Sequence, residues 1–246
     1  MAIKIISRQE WGARAPKSTP IKISIPTKEL WLHHAAGAVL PGDDTVSDAD
    51  LRRIRSIQKY HMDVRGWNDI AYSFLMDPDG NIFEGRGVGI SGAHTAGHNS
   101  ISHALCVMGN YETQPVDSDL IPRLAEFALH GFQQNWWPLG FTGGHRDASG
   151  ANTSCPGKNL YAQLGEINKQ IKEGNDMAFS QHEESVLKQF VASLDAVSSN
   201  GSFAAQAVQD IRQKNDADAN HGGYARRDEL GSGSLPKEEI VKIVRS

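Results

Sequence analysis

Two histidines and a cysteine, distant from one another along the chain, are residue types that can hold a metal ion. His145 opens the segment His-Arg-Asp, and Cys155 opens Cys-Pro-Gly ten positions later. One loop can therefore bring together an imidazole and a thiolate, both of which zinc accepts as ligands. The obvious third donor is upstream, where the apolar segment Leu30–Leu32 runs into His33 and His34. Two histidines and one cysteine leave a tetrahedral zinc one position for water, which is typical of a catalytic site.

Five segments around these residues occur in an order that is more specific than any one of them. They are Trp31–Gly37, Gly66–Phe74, Asp79–Gly87, Gly92–Ser100 and Gly144–Gly157. Together they resemble the type-2 N-acetylmuramoyl-L-alanine amidases, a family that includes phage endolysins and the peptidoglycan recognition proteins. The resemblance spans about residues 5 to 172 and does not extend to the rest of the chain.

The resemblance implies a metal, a set of ligands and a reaction. The metal is Zn²⁺, and its ligands are His33, His145 and Cys155. His34 then points to the opposite face of the strand or to the groove wall, because side chains alternate along a strand. Zinc lowers the pKa of bound water to about 7 and polarises carbonyls, which suits the hydrolysis of an unactivated amide. The bond implied joins N-acetylmuramic acid to L-alanine in bacterial peptidoglycan.

Two more residues match catalytic positions of the family. Tyr72 matches a tyrosine whose hydroxyl approaches the zinc-bound water or the oxyanion. Thr153 lies where one group of phage enzymes has an essential lysine and the peptidoglycan recognition amidases have threonine. Nine residues separate His145 from Cys155, where the family usually has seven. Loop closure over two extra residues costs roughly a few tenths of a kcal/mol, so we expect the site to persist.

Four residues are candidates for contact with substrate. His94 and Asn99 align with groove residues of the family that contact the stem peptide or the glycan, although ordinary loop polarity also explains them. His34 is expected on the groove wall. Trp67 is either a core aromatic residue or a platform for a saccharide ring, and the sequence favours neither.

Several other reactive side chains are interpreted as structural. Cys106 lies in an apolar segment, and free cysteines are usually buried. Glu84 and Arg86 are expected to form an ion pair at the end of a hairpin. A single histidine is more often a hydrogen-bonded structural residue than a ligand, and this interpretation applies to His61, His103, His130, His182 and His221.

The alternation of strand and helix patterns predicts an α/β fold, with a central mixed β-sheet flanked by helices and a small helical C-terminal region. Ser47 or Asp48 is expected to cap the first helix. Asp77–Gly80 is a turn signal between two strands. The predicted strands are 29–35, 70–76, 81–84, 102–110 and a short one before His145. The predicted helices are 49–63, one from Ser118 that buries Leu120, Leu124, Phe127, Ala128, Gly131 and Phe132, and 159–172.

Composition excludes some functions and sets the expected compartment. The net charge of −4 gives no basic face for nucleic acid. No segment approaches the roughly 18 uninterrupted apolar residues of a membrane span. Met1–Arg8 lacks the features of a secretory signal, so we expect synthesis in the host cytoplasm and action on the cell wall after release. Two cysteines do not make a disulfide framework.

We predict a catalytic domain at 1–172, a linker at 173–179 and a helical C-terminal region at 180–246. Amphipathic patterns at 180–197, 203–214 and 236–244 indicate helices, and 215–235 is polar and glycine-rich. Such helices cannot bury their apolar faces alone. The region is therefore interpreted as a module for cell-wall binding or self-association. The alternative is a solvated tail with helical tendency.

Three functions remain open at this level. The first is a zinc amidase that acts as a phage endolysin or a related autolysin. The second is a non-catalytic peptidoglycan-binding module, although relatives that only bind have typically lost the cysteine ligand, and this chain has Cys155. The third is a cytoplasmic enzyme that recycles wall fragments, but such enzymes usually have aspartate in place of this cysteine and lack a C-terminal module.

The sequence before Met177 suggests an internal start. Lys172–Gly174 can be encoded by a purine run that resembles a bacterial ribosome-binding site. A free C-terminal fragment would then assemble with the full chain. We expect a short species in the intact-mass spectrum of the expressed protein, and its loss from a Met177→Leu variant. A short species that persists in the variant would end this hypothesis.

Overall fold

The computed structural model describes residues 3–37 and 46–197. Contacts between residues separate two compact units, Met1–Asp176 and Met177–Ser246. The predicted turn at 41–44, the helices at 203–214 and 236–244, the polar segment at 215–235 and His221 lie outside the described residues. The domain limits 1–172, 173–179 and 180–246 therefore stay predictions.

A mixed six-stranded sheet forms the centre of the first unit. Its strand order is β1-β4-β3-β5-β2-β6. The β3–β4 hairpin is antiparallel, and the other four strand pairs are parallel. This is the predicted fold class. The strands are β1 Ile5–Ile6, β2 Glu29–His34, β3 Phe74–Met76, β4 Ile82–Glu84, β5 Ser102–Val107 and β6 Gly143–Gly144.

Helices cover both faces of the sheet, which explains why its central strands read as nearly continuous apolar segments. On one face, Leu32 and Leu105 pack in a cluster with Phe127 of α2. On the other face, Cys106 and its neighbours pack against Ile54 of α1. The helices are α1 Asp48–Lys59, α2 Leu120–Gln133, α3 Lys158–Tyr161 and α4 Leu164–Val197, and a π-helical turn, Tyr60–Val64, continues α1.

The start of α1 confirms the predicted cap. Ser47 is the N-cap: its Oγ accepts a hydrogen bond from the Asp50 amide, and the Asp50 carboxylate accepts one from the Ser47 amide. This reciprocal pair satisfies two amides that the helix leaves without partners. The helix thereby begins at a fixed point, and its buried residues Ile54 and Gln58 face the sheet.

The structure corrects several predicted elements. Strand 70–76 is regular only from Phe74, and the Ala71 amide bonds instead to the His61 ring. Helix 159–172 is broken after Tyr161, and α4 begins at Leu164. Phe132 was predicted to be buried, but it lies at the edge of α2 and is 36% exposed. No helix among the described residues is long and apolar enough to cross a membrane.

Candidate functional site

Strand β2 delivers His33 to the carboxyl edge of the sheet. In the β2–β5 register, His33 lies beside Cys106 and His34 beside Val107. Because side chains alternate, His33 points to the α1 face and His34 to the α2 face. His34 is nearly buried, and its Nδ1 accepts a hydrogen bond from the Tyr111 amide at 3.1 Å. The alternation thus separates the two histidines as predicted.

Strand β6 brings His145 to the same edge. Gly143 pairs with Trp31 and Gly144 pairs with Leu32, so the next residue, His145, emerges beside the end of β2. The two glycines are needed for close packing. A Cβ atom on Gly144 would lie 2.6 Å from the Cδ atom of Pro156.

The loop that follows returns Cys155 to His33. The Arg146 amide donates to the Cys155 carbonyl at 2.9 Å, which closes the loop. Gly157 has a φ of +86°, and a Cβ atom there would lie 2.4 Å from the Tyr111 backbone. The loop therefore requires glycine at this position. The Cys155 Sγ atom lies 3.6 Å from His33 Nδ1, and the His34 amide donates to this sulfur at 3.4 Å.

The three predicted ligands lie close enough together to hold one metal ion. One ligand atom each from His33, His145 and Cys155 lies within 4.8 Å of the other two. With bonds of about 2.3 Å to sulfur and about 2.05 Å to nitrogen, tetrahedral zinc holds a sulfur and a nitrogen ligand about 3.6 Å apart. The distance between Cys155 Sγ and His33 Nδ1 equals this value. Nδ1 is therefore the nitrogen of His33 that would face a metal ion held with Cys155.

Burial puts the two imidazoles in the state that a metal requires. It lowers the pKa of His33 well below its ordinary value, with a further contribution from the neighbouring His94 and His145 rings. It also lowers the pKa of His145. Both rings are therefore neutral near pH 7 and have a free lone pair.

Burial has the opposite consequence for the thiol. It raises the pKa of Cys155 to about 11, and the His34 amide and the Arg146 charge offset only part of this shift. A cation that binds here must therefore displace a proton from Cys155. The site favours a divalent ion that forms a strong bond to thiolate.

A buried threonine that the sequence interpretation missed orients His33. The Thr95 Oγ1 atom lies 3.2 Å from His33 Nε2 and 3.0 Å from His94 Nδ1. With Nδ1 of His33 facing the metal, its Nε2–H donates to Thr95, and the Thr95 hydroxyl donates to His94. Such outer partners fix the tautomer and the orientation of a ligand. Proximity in sequence to His94 was the only available signal for Thr95.

Most of the predicted catalytic and substrate residues line one cavity beside the three ligands. The cavity has a volume of about 500 Å³, and Tyr72, Thr153, His34, Trp67 and His94 all lie on its wall. Its other lining residues include Arg53, Ser56, Ile57 and Tyr60 on one side and Ala93 and Ser154 on the other.

Within the cavity wall, Trp67 is a partly exposed ring that packs at a tilt against His61, with ring centres 5.0 Å apart. This position favours the platform interpretation over the core one. The Thr153 side chain is exposed, and its Oγ1 accepts a hydrogen bond from the Cys155 amide at 3.1 Å. Its hydroxyl proton therefore remains available to another group.

Asn99 is not among the residues that line this cavity. Its side-chain oxygen accepts hydrogen bonds from the His94 and Thr95 amides, at 2.8 and 3.0 Å. The loop polarity interpretation accounts for these contacts. Asn99 thus holds the loop that presents His94, and its predicted contact with substrate has no support from its position.

The side chains that were interpreted as structural make internal contacts. Cys106 is fully buried in β5. His103 accepts from the Gly89 amide and shares a hydrogen bond with Thr27. The predicted ion pair of Arg86 with Glu84 is replaced by hydrogen bonds from the guanidinium to the carbonyls of Ile70 and Ser91. His61 accepts a hydrogen bond from the Ala71 amide, and His130 packs edge-on against Trp136. His182, on α4, is instead exposed.

Comparison with known proteins agrees with this geometry. The family described as N-acetylmuramoyl-L-alanine amidase matches residues 25–158. The chain belongs to this family. Peptidoglycan-recognition protein SC2 of Drosophila simulans is 33% identical over 165 residues, which are 67% of this chain and 86% of that protein. The N-acetylmuramoyl-L-alanine amidase of Homo sapiens is 35% identical over 164 residues, which are 64% of this chain and 27% of that protein.

Solved structures of the family have the same fold. Drosophila PGRP-LB matches with a TM-score of 0.59 and 30% identity, over 66% of this chain and 93% of that chain. Peptidoglycan recognition protein LE, in complex with tracheal cytotoxin, matches with a TM-score of 0.59 and 31% identity, over 65% of this chain and 91% of that chain. The amidase family therefore places this chain among proteins that hydrolyse or recognise peptidoglycan.

The contact between Thr95 and His33 predicts a loss of metal affinity when the hydroxyl is removed. A Thr95→Val variant keeps the side-chain volume but leaves His33 without its outer partner. We expect its zinc affinity, measured by competition with a chromogenic chelator, to fall about tenfold to a hundredfold. A Thr95→Ser variant should retain most of the affinity, and Thr113→Val, at an exposed site, should match the native chain. Equal affinity of Thr95→Val and the native chain would refute this role.

Proposed function

We propose that this chain is a zinc-dependent N-acetylmuramoyl-L-alanine amidase that cleaves the bond between N-acetylmuramic acid and L-alanine in peptidoglycan. The observation that carries the proposal is the convergence of His33, His145 and Cys155 on the wall of an open cavity. Three protein ligands leave a fourth position for water or substrate, as in catalytic zinc sites. Zinc bound there would activate water and polarise the amide carbonyl.

We assign Tyr72 to the stabilisation of the charge that develops on the carbonyl oxygen. Its ring lies 5.3 Å from the His33 ring, measured between ring centres, and it lines the cavity. Burial raises the pKa of Tyr72 well above its ordinary value. The phenol therefore keeps its proton at neutral pH and can donate a hydrogen bond to an oxyanion.

Two other residues that line the cavity carry hydrogen-bond donors without an acceptor among the described residues. Among the described residues, His94 Nε2 is buried without a hydrogen-bond partner, and the chain through Thr95 leaves a proton on this nitrogen. The Thr153 hydroxyl is likewise free to donate, although it is a weaker donor than the lysine of the related phage enzymes. We assign His94 to substrate binding and Thr153 to the stabilisation of charge near the ligands.

The alternative is a protein that binds peptidoglycan without cleaving it. The relative solved in complex with tracheal cytotoxin is titled as a recognition protein. The cavity would suit such binding equally well, because aromatic and imidazole rings form much of its wall. Hydrolysis is favoured because a buried thiol beside two neutral imidazoles has no role in recognition alone, whereas a metal site requires it.

The wider biological role extends this proposal. An endolysin role, with synthesis in the host cytoplasm and lysis of the cell wall after release, is proposed as an extension of the amidase assignment. The C-terminal module for wall binding or self-association remains a prediction. The fragment that starts at Met177 also remains a prediction, and the comparisons lend it no support.

The two cysteines offer a matched test of the metal assignment. We expect Cys155→Ala to abolish both zinc retention and amidase activity, because it removes the only anionic ligand. We expect Cys106→Ala to lower the unfolding midpoint but to retain zinc and activity, since its side chain lies in the core. Zinc is measured by elemental analysis. Activity is measured on purified sacculi as new N-terminal alanine without new reducing ends. Full lysis by Cys155→Ala would refute the assignment.

A Tyr72→Phe variant tests transition-state stabilisation separately from metal binding. It removes one hydrogen-bond donor and keeps the ring against His33. We expect kcat to fall about a hundredfold, as is usual when one oxyanion donor is lost, with zinc content unchanged. Comparison of kcat and KM on a soluble muramyl peptide provides the measurement. An unchanged kcat would remove Tyr72 from the mechanism.

A further inference from the structure

Trp31 is a buried aromatic residue that lies two positions before the ligand His33 on β2. Because side chains alternate along a strand, the indole ring and the His33 ring lie on the same face of the sheet. The Trp31 side chain is only 4% exposed, and it is not among the described residues that line the cavity. It is therefore an interior residue on the face that carries the first ligand.

The indole ring also packs against the strand that delivers the second ligand. Gly143 is the partner of Trp31 in the β2–β6 pair, and it lies two positions before His145. A Cβ atom on Gly143 would lie 3.0 Å from Cζ3 of Trp31, so the ring covers β6 at this point. A shift of the indole ring would therefore change the space that β6 occupies close to His145.

The loop that carries the third ligand meets the same ring. Trp31 belongs to a small buried cluster that includes Ala148, and Ala151 packs against this cluster. Both alanines lie in the loop that leads to Cys155. Tyr72 packs against the same cluster from another segment of the chain. One rigid side chain is thus packed with parts of all three segments that provide a ligand.

Glu29 fixes the orientation of this ring. Trp31 Nε1 donates a hydrogen bond to Glu29 Oε2 at 3.0 Å. The same oxygen lies 2.8 Å from Nδ1 of His98, and this nitrogen is the donor because a carboxylate only accepts. The His98 ring packs edge-on against the indole ring, with ring centres 5.5 Å apart. The Glu29 and His98 side chains are largely buried, so water competes only weakly for these bonds.

His98 connects this group to the loop that orients the first ligand. The His98 amide donates to the Thr95 carbonyl at 3.0 Å, and the Thr95 hydroxyl contacts Nε2 of His33. One oxygen of Glu29 therefore holds both the ring that packs with the ligand segments and a residue of the Thr95 loop.

We propose that Trp31, held in one orientation by Glu29, is a positioning residue for the metal site. This inference rests on the proposed function as a zinc amidase. A metal site needs ligands that are held within about 0.5 Å of their productive geometry by residues whose own conformations are locked. Trp31 meets this need because its ring packs with all three ligand segments, and Glu29 locks the ring through the indole N–H. Both residues act through the segments that carry the ligands.

A Glu29→Met variant tests this role, because methionine keeps the approximate size of the side chain and removes the acceptor. We expect its zinc affinity, measured by competition with a chromogenic chelator, to fall about tenfold. Glu29→Gln retains an oxygen acceptor and should keep most of the native affinity. The matched control is Glu166→Met, which makes the same change at an exposed position and should equal the native chain.

Amide hydrogen exchange of the zinc-free chain separates the two bonds that Glu29 accepts. We expect Glu29→Met to raise the exchange rates of both loops, 92–100 and 146–154, about twofold to tenfold. His98→Phe keeps a ring against Trp31 and removes only the second bond, so it should raise exchange in 92–100 alone. The amides of α2 serve as the internal reference and should exchange at the native rate in both variants.

A separate control distinguishes positioning from a general loss of stability. Cys106→Ala lowers the unfolding midpoint by removing a core side chain, and it should keep the native zinc affinity. A tenfold loss of affinity in Glu29→Met at an equal or smaller loss of stability therefore reports on the geometry of the ligands.

The outcomes separate this inference from the function on which it rests. A native chain that retains no zinc and cleaves no muramyl peptide would remove the proposed function, and this role with it. If the native chain binds zinc and cleaves the peptide, the role alone is overturned by native affinity in Glu29→Met, by an equal loss in Glu29→Gln, or by unchanged exchange in both loops. Loss of affinity in Glu29→Met, but not in Glu29→Gln, Glu166→Met or Cys106→Ala, together with faster exchange in both loops, supports the role.

Discussion

The burial of one thiol between two imidazoles is the constraint on which the rest of the site depends. The same desolvation that keeps His33 and His145 neutral raises the pKa of Cys155 to about 11. A thiolate at that place needs a compensating positive charge, and the nearby histidines do not provide it because they are uncharged. A divalent ion would supply the charge and would bind through one lone pair of each of the three side chains.

The sheet meets this requirement with few residues. Strand β2 lies between β5 and β6, so the residues that follow β2 and β6 emerge side by side. Gly143 and Gly144 let β6 approach the loop that carries Cys155, and Gly157 turns that loop against the Tyr111 backbone. The outer contacts at Thr95 and the His34 amide then fix His33 and Cys155. Ligands that are separated by 112 and 122 positions along the chain thereby reach one point.

The elements that the sequence predicts well are those that a short local pattern determines. The cap at Ser47, the hairpin around Asp77–Gly80 and the buried strand that ends at His33 each follow from a pattern within a few residues. The three ligands were predicted because each lies in a distinctive motif. The differences arise from tertiary context: the Ala71 amide bonds to the His61 ring, and Arg86 bonds to carbonyls instead of Glu84. Thr95 meets His33 only when distant segments come together, so apart from its place beside His94 no local pattern marks it.

X-ray absorption at the zinc K-edge of the full chain, purified with zinc, tests the central claim most directly. The account predicts a four-coordinate ion with one sulfur at about 2.3 Å and three nitrogen or oxygen atoms at about 2.0 to 2.1 Å, two of them with the multiple-scattering signature of imidazole. A spectrum without sulfur, a six-coordinate oxygen shell, or a chain that retains no zinc would contradict it.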